Sequence, residues 1–105
     1  MVTLYLLPVW IISRKILRDF WKQYPDAEQP LKAWFREAKL AEWQTPAQVK
    51  RQYRSTSVLG RERVVFNIVG NKYRLVIAIK YAYQVVYIRF VGTHRQYDGI
   101  DVHKV

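Results

Sequence analysis

The sequence predicts an α+β fold, in which an N-terminal strand and two to three helices pack on a mainly antiparallel β-meander sheet. Three observations lead to this prediction. Apolar residues recur at helical spacing in the first half of the chain, and a Gly70-Asn71 pair marks a hairpin loop in the second half. The segments VVFNIV, YRLVIAI and VVYIRFV are rich in β-branched and aromatic residues. The 105 residues contain no repeat, low-complexity tract or linker, so we expect one domain over residues 1–105.

The N-terminal segment is apolar, and we interpret Val9 to Ile12 as the first strand. Residues 1–12 are fewer than the roughly 20 apolar residues that cross a bilayer. They also lack the charged start and the small-residue cleavage site of a signal peptide. We therefore expect no membrane association and a cytoplasmic location, which the absence of cysteine also favours. Residues 1–8 are interpreted as an N-terminal extension, arising from an upstream start site or serving as an arm that faces a partner.

Three helices follow, and each has a residue before it that is able to cap its N-terminus. Ser13 is the predicted cap of the first helix. Asp26 with Gln29 matches a capping box for the second, and Thr45 followed by Pro46 marks the start of the third. We expect all four tryptophans, Trp10, Trp21, Trp34 and Trp43, to be buried together with the other apolar residues at helical spacing, namely Ile16, Leu17, Phe20, Tyr24, Leu31, Phe35, Ala38, Val49 and Tyr53.

The Gly70-Asn71 loop sets the register of the hairpin around it. Counting back from the loop, Asn67 lies opposite Arg74, and alternation places these two residues with Lys72 on one face of the sheet. The opposite face is the predicted core, made of Val64, Phe66, Ile68, Tyr73, Leu75, Ile77 and Ile79. In the third strand, alternation assigns Val86, Ile88 and Phe90 to the core and leaves Tyr87 and Arg89 beside the charged group.

Positive charge is concentrated in the second half of the chain. Eighteen Lys and Arg against eight Asp and Glu give a formal net charge of +10. Between Trp43 and Tyr97 there are ten basic residues and one acid, Glu62. This imbalance favours a polyanionic partner, with nucleic acid ahead of an anionic membrane surface; a solvated surface that serves only solubility is the alternative. The residues expected to bind RNA are Asn67, Arg89, Tyr87, Lys50, Arg51, Arg54 and Arg95.

A histidine and a tyrosine follow the last predicted strand. Thr93 and Gln96 match a capping box, which predicts about one turn of helix over residues 94–98 with His94 and Tyr97 on the same side. The helix start and the neighbouring arginines both oppose protonation of His94, and a neutral imidazole beside a phosphate site is able to act as general base or acid. An incidental surface histidine is the alternative. The two histidines are far apart and no carboxylates cluster with them, so we expect no metal site and no cofactor.

Two long segments carry a family resemblance. VVFNIVGNKYRLVIAIKY followed by VVYIRFVGTHRQYDGID, with the helical segment upstream, resembles the HigB toxins of the RelE-like superfamily over about residues 11–101. The resemblance implies a RelE-like fold and a toxin of a type II toxin–antitoxin system. It implies a HigA-like helix-turn-helix antitoxin as partner, and cleavage of mRNA in the ribosomal A site.

The resemblance also implies roles for individual residues. Arg74 matches the arginine that such toxins place on the scissile phosphate. His94 lies where RelE has an arginine, and Tyr97 lies near its tyrosine. Asn67 replaces a RelE lysine, whose proton-accepting role Lys72 would take.

The function expected from these features is a metal-independent endoribonuclease, or mRNA interferase. The RNA 2′-hydroxyl attacks the adjacent phosphate to give a 2′,3′-cyclic phosphate and a 5′-hydroxyl, and the catalytic residues are Arg74, His94, Tyr97 and Lys72. Two alternatives stay open at this point. One is a non-catalytic RNA- or ribosome-binding protein, which the charge supports equally well, and the other is a gyrase-poisoning toxin of related fold.

Overall fold

A computed structural model describes residues 9–105, and the predicted N-terminal extension of residues 1–8 lies outside the described residues. In chain order the elements are β1 (Trp10–Ile12), α1 (Arg14–Gln23), α2 (Glu28–Ala41), α3 (Pro46–Gln52), β2 (Ser57–Leu59), β3 (Arg63–Ile68), β4 (Tyr73–Lys80), β5 (Val85–Thr93) and α4 (His94–Asp98). Short 3-10 turns occupy Pro25–Ala27 and Tyr81–Tyr83. Within residues 9–105 no helix has the length and apolar character needed to cross a membrane.

The five strands form one sheet in the order β1-β5-β4-β3-β2. β1 runs parallel to β5, with Trp10 aligned with Val85, and the other three strand pairs are antiparallel. The predicted α+β class is therefore confirmed. The sequence analysis missed β2, because its three residues include a serine and are too few to show an alternating pattern.

Helices α1, α2 and α3 pack on one face of this sheet and form the core with it. The register predicted for the β3–β4 hairpin is confirmed, since Asn67 pairs with Arg74 and Ile68 pairs with Tyr73. Trp34 packs edge-on against Phe66, with ring centroids 5.4 Å apart. The predicted core residues of the hairpin are all buried, namely Val64, Phe66, Ile68, Tyr73, Leu75, Ile77 and Ile79.

We call the opposite side of the sheet, which carries Asn67 and Arg74, the distal face. The distal face is not bare, because Val65, Val76 and Ala78 alternate onto it and are buried. The C-terminal segment reaches this region, where Arg63 Nη2 donates to the Val105 carbonyl oxygen over 2.9 Å. The charged residues therefore border a second apolar layer.

A β-bulge in β5 changes which residues face the helices. Val76 lies opposite Phe90, while the next residue of β4 lies opposite Ile88, so Arg89 is the extra residue. After the bulge the alternation is reversed, and Phe90 lies on the distal face with Val76. The prediction that Phe90 belongs to the core is wrong for this reason. Val86 and Ile88, which precede the bulge, are buried as predicted.

Two of the predicted helix caps are also wrong. Ser13 precedes α1 in a left-handed conformation with φ of 73°, and its hydroxyl makes no capping hydrogen bond. Asp26 lies in a 3-10 turn, and Ala27 is the residue before α2. The prediction for α3 is confirmed, since the Thr45 side chain accepts a hydrogen bond from the Gln48 amide.

The tryptophans do not share one environment. Trp34 and Trp43 are buried as predicted, and Trp21 is partly buried against the core. Trp10 is 63% exposed, so the expectation that it is a core residue is wrong. β1, the strand that contains Trp10, is at the edge of the sheet, and the Trp10 side chain points away from the helices.

Candidate nucleic-acid interface

Three adjacent strands place the centre of the candidate site on the distal face. Asn67 of β3 pairs with Arg74 of β4, and Arg74 pairs with Gly92 of β5. Gly92 is buried, because the Phe90 ring and the Gln96 side chain lie over it. A Cβ atom at position 92 would lie 2.6 Å from the Phe90 ring and 2.8 Å from Gln96 Oε1. The glycine therefore allows the last strand and the short helix after it to pack closely.

Arg74 is half-buried, and its guanidinium is held at one end. Nη1 donates to the Asn71 carbonyl oxygen over 2.9 Å, and the guanidinium carbon lies 6.0 Å from the centroid of the Tyr97 ring. Among residues 9–105 no carboxylate forms an ion pair with it. Within residues 9–105, Nε and Nη2 of Arg74 donate no hydrogen bond, and a planar guanidinium suits two phosphate oxygens.

The short helix α4 begins with the predicted capping box. Thr93 Oγ1 accepts from the Gln96 amide over 3.1 Å, and Gln96 Oε1 accepts from the Thr93 amide over 2.9 Å. The His94 amide donates to the Lys72 carbonyl oxygen over 3.2 Å, which ties the helix start to the β3–β4 loop. Backbone contacts thus hold His94 and Tyr97 beside Arg74.

The imidazole of His94 is exposed and has an acidic neighbour. Its Nδ1 lies 3.1 Å from Asp98 Oδ2, one helical turn away. The helix start and the arginines are therefore not the only charges near His94, because a carboxylate lies beside it as well. Because an ionised carboxylate only accepts hydrogen bonds, this contact assigns the hydrogen to Nδ1 and leaves the Nε2 lone pair free when the ring is neutral.

Tyr97 is supported by an aromatic residue that the sequence analysis placed in the core. The Phe90 and Tyr97 ring centroids are 6.5 Å apart. Phe90 reaches the distal face only because of the bulge at Arg89. The sequence contains no local pattern that identifies this bulge, so Phe90 could not be assigned to the site in advance.

Lys72 points away from Arg74. Its Nζ lies 2.5 Å from Asp26 Oδ2, and the Tyr73 hydroxyl donates to Asp26 Oδ1 over 2.6 Å. The hydrogen bonds from Lys72 and Tyr73 lower the pKa of Asp26, and the same carboxylate raises the pKa of Lys72. Tyr73 belongs to the core side, so the prediction that Lys72 shares a face with Arg74 and Asn67 is wrong. The carboxylate that binds Lys72 comes from a turn almost fifty residues earlier, outside the stretch in which acids were counted.

The remaining predicted RNA-binding residues belong to β3, β5, α4 and the segment from α3 to the loop after it. The Asn67 amide donates to the Ser55 carbonyl oxygen over 3.3 Å, which brings the loop after α3 to the distal face. Arg51, Arg54 and Arg95 are exposed. Lys50 Nζ is bound to the Thr56 carbonyl oxygen at 2.5 Å.

Further along β5, the Arg89 guanidinium lies 4.9 Å from the centroid of the Tyr87 ring. The described part of the chain contains no group of three or more His, Cys, Asp or Glu side chains that is placed to hold a metal ion.

Comparison with known proteins places the chain in a family. A family model described as HigB_toxin, a RelE-like toxic component of a toxin–antitoxin system, matches residues 27–100. The chain belongs to the HigB toxin family. It is 30% identical over 90 residues to the mRNA interferase toxin HigB of Escherichia coli K12, covering 84% of this chain and 86% of that protein. The mRNA interferase HigB proteins of Escherichia coli O157:H7 and Shigella flexneri match to the same extent.

Membership of the HigB family confirms the RelE-like assignment made from the sequence. The matched range contains Arg74, His94 and Tyr97, as well as the bulged strand that brings Phe90 to them. The matched range begins at residue 27, so it includes neither Asp26 nor α1.

Proposed function

We propose that this chain is the toxin of a type II toxin–antitoxin system, that it acts in the cytoplasm, and that it is a metal-independent mRNA endoribonuclease. The observation that carries the proposal is the juxtaposition of Arg74, Tyr97 and His94 on one exposed surface. The names of the relatives, which are mRNA interferases, support the choice of RNA as substrate.

The proposed chemistry uses the RNA 2′-hydroxyl as nucleophile. His94 Nε2 accepts the proton from this hydroxyl, while Asp98 holds the ring through Nδ1 and stabilises the imidazolium that forms. Arg74 donates to the phosphate oxygens as negative charge develops on them. The 5′-oxygen leaves and takes a proton from water, which gives a 2′,3′-cyclic phosphate and a 5′-hydroxyl.

Other residues bind rather than react. Tyr97 provides a ring on which a base can stack. Asn67, Tyr87, Arg89 and Arg95, with Lys50, Arg51 and Arg54 at the end of α3, extend the contact along the RNA. Lys72 holds the hairpin loop through its ion pair with Asp26.

We further propose that cleavage takes place in the A site of the ribosome and that a HigA-like helix-turn-helix protein is the antitoxin. The first part is supported by the exposure of His94, because an open surface orients a flexible RNA poorly without a second body to hold it. The second is supported by membership of the HigB family, whose members are the toxic components of such pairs.

The test is incubation of the purified protein with ribosomes that carry a defined mRNA, followed by mapping of the new 5′ ends. We expect cleavage within the A-site codon and 5′-hydroxyl ends. The control is the same RNA without ribosomes, in buffer with EDTA, where we expect no cleavage. Binding without cleavage would identify a non-catalytic ribosome-binding protein, and DNA breaks with intact mRNA would identify a gyrase poison. Either outcome would refute the proposal.

A further inference from the structure

A second basic surface lies on the other side of the molecule from the distal face. It is a groove of about 270 Å³ between α1 and α2. These helices cover the core side of the sheet, whereas Arg74 and Asn67 are on the distal face, so the groove and the candidate site lie on opposite sides of the sheet. The residues that line the groove are Arg14, Leu17, Trp21, Lys32, Phe35, Arg36 and Lys39.

Cations are held over aromatic rings in this groove. The Arg14 guanidinium lies 4.5 Å from the Phe35 ring centroid, and Lys39 Nζ lies 5.8 Å from the same centroid. Lys32 Nζ lies 5.4 Å from the Trp21 ring centroid. Cation–π contacts fix these charges at the edge of an apolar floor and leave their N–H groups free for other partners.

The charge of the groove is largely unbalanced. Lys32 is paired with Glu28 at 2.5 Å. In the described range, 9–105, none of the ion pairs involves Arg14, Arg36 or Lys39. The proposed catalytic site uses none of these residues.

We propose that this groove binds an acidic segment of the antitoxin, with an apolar side chain of that segment on Phe35 and Trp21 and its carboxylates on the surrounding cations. The proposal rests on the proposed function only for the identity of the partner. An apolar floor with basic edges is complementary to an acidic amphipathic peptide. RNA would contact the basic edges through its phosphates, but its bases would compete with the cations that already lie over the Phe35 and Trp21 rings, which favours a protein segment over RNA.

This position has a consequence for inhibition. A segment in the groove holds the antitoxin on the toxin without covering Arg74 or His94. Groove substitutions should therefore change the affinity for antitoxin without changing the rate of RNA cleavage by the free toxin.

The test compares two charge-reversed double variants. Arg36→Glu with Lys39→Glu alters the groove, and Arg18→Glu with Lys22→Glu reverses two exposed cations of α1 that do not line it. The probe is the cognate antitoxin, separated from the co-expressed complex and titrated into each toxin by calorimetry. We expect the groove variant to lose about tenfold or more in affinity and the control to change by less than about twofold. Circular dichroism checks that both variants are folded.

Each outcome decides the proposal. Equal affinity of the two folded variants for the antitoxin would overturn it. A loss of ribosomal RNA cleavage in the groove variant with unchanged antitoxin affinity would also overturn it and assign the groove to the ribosome. If the wild-type protein cleaves no mRNA but the groove variant still loses the antitoxin, the proposed function fails and this inference stands.

Discussion

Arg74 combines a fixed position with an unsatisfied charge. Its Nη1 is anchored on the Asn71 carbonyl, and Tyr97 lies beneath the guanidinium. Because the arginine is ordered before RNA binds, little side-chain freedom is lost when it contacts a phosphate. This arrangement is what a group that stabilises developing negative charge requires.

We predict that Arg74→Ala lowers the rate of ribosomal mRNA cleavage by about a hundredfold or more while the protein stays folded. The matched control is Arg18→Ala, which removes an exposed arginine of α1 far from the site. Single-turnover cleavage of mRNA on programmed ribosomes measures the rate, and thermal unfolding checks the fold. A folded Arg74→Ala protein with wild-type activity would remove Arg74 from the mechanism.

For His94, proton transfer and phosphate positioning make different predictions. If Nε2 accepts the proton, His94→Gln should lower the rate by roughly a hundred- to ten-thousandfold while RNA binding is retained. Asp98→Asn should retain RNA binding and lose a smaller part of the rate, because only the orientation of the ring is affected. Active His94→Arg protein with an unchanged pH profile would show that the residue only positions phosphate.

Among the elements, the 3-10 turn at Pro25–Ala27 has a long-range role. Asp26 in this turn binds Lys72 and the Tyr73 hydroxyl, and the Lys72 carbonyl in turn accepts the His94 amide. The turn before α2 is thereby connected through the β3–β4 loop to the start of α4. Asp26 is a positioning residue, because it reaches the start of α4 only through Lys72.

We predict that Asp26→Asn lowers the unfolding temperature at neutral pH and that this difference shrinks in acid. The pKa of Asp26 is below its ordinary value in the folded state, so its contribution to stability is present above that ordinary value and is lost as the pH falls through the lowered pKa. Thermal unfolding at about pH 7 and pH 3 measures the difference, since free aspartate titrates near pH 4. The same difference at both pH values would contradict the prediction.

The close approach of β5 to α4 gives a further prediction. Gly92→Ala places a Cβ against the Phe90 ring and Gln96 Oε1, so the ring moves or the capping box opens. We expect a loss of about 1–3 kcal/mol in the free energy of unfolding, typical of an overpacked site, with reduced cleavage. Urea unfolding measures the stability, and Gly99→Ala is the control because its Cβ would meet only ordinary contacts. Unchanged stability and activity in Gly92→Ala would mean that the packing adjusts freely.

Some features of these elements could be predicted from the sequence, and others could not. It predicted the β3–β4 register, because alternation around Gly70-Asn71 permits only one pairing that keeps Arg74 out of the core. It did not predict the bulge, since VVYIRFV alternates equally well without an extra residue. It suggested a local capping role for Asp26, whereas the carboxylate binds side chains from a distant hairpin. Local patterns thus sufficed to predict that Arg74, His94 and Tyr97 lie close together, but long-range contacts decided where Lys72 and Phe90 lie.

At the scale of the whole molecule, cations form two separate surfaces on a chain whose formal net charge is +10. The distal face and the loop after α3 carry the cations assigned to RNA, and the groove between α1 and α2 carries a separate set. An antitoxin bound in the groove and an RNA bound on the distal face would therefore occupy different positions. The affinity of the protein for each of them would fall as the salt concentration rises.

We predict that RNA binding weakens steeply with salt, with each phosphate contact contributing about −0.7 to the slope of log K against log salt concentration. Arg89→Ala and Arg95→Ala should each reduce the steepness by about this amount, because each removes one phosphate contact. Arg36→Ala, in the groove, is the control and should leave the slope unchanged. Fluorescence anisotropy with a short labelled RNA measures the slope, and an equal effect of all three substitutions would contradict the assignment of the two surfaces.

The parallel pairing of β1 with β5 also affects how late in synthesis the protein can complete its fold. Synthesis proceeds from the N-terminus, so Trp10 emerges long before Val85, its partner in the sheet. Contacts between such distant residues form slowly, because the chain between them must first be ordered. β1 therefore cannot pair until β5 has been synthesised. α4, which contains His94 and Tyr97, follows directly after β5. The proposed catalytic surface is therefore expected to assemble among the last parts of the fold, after most of the chain has been synthesised.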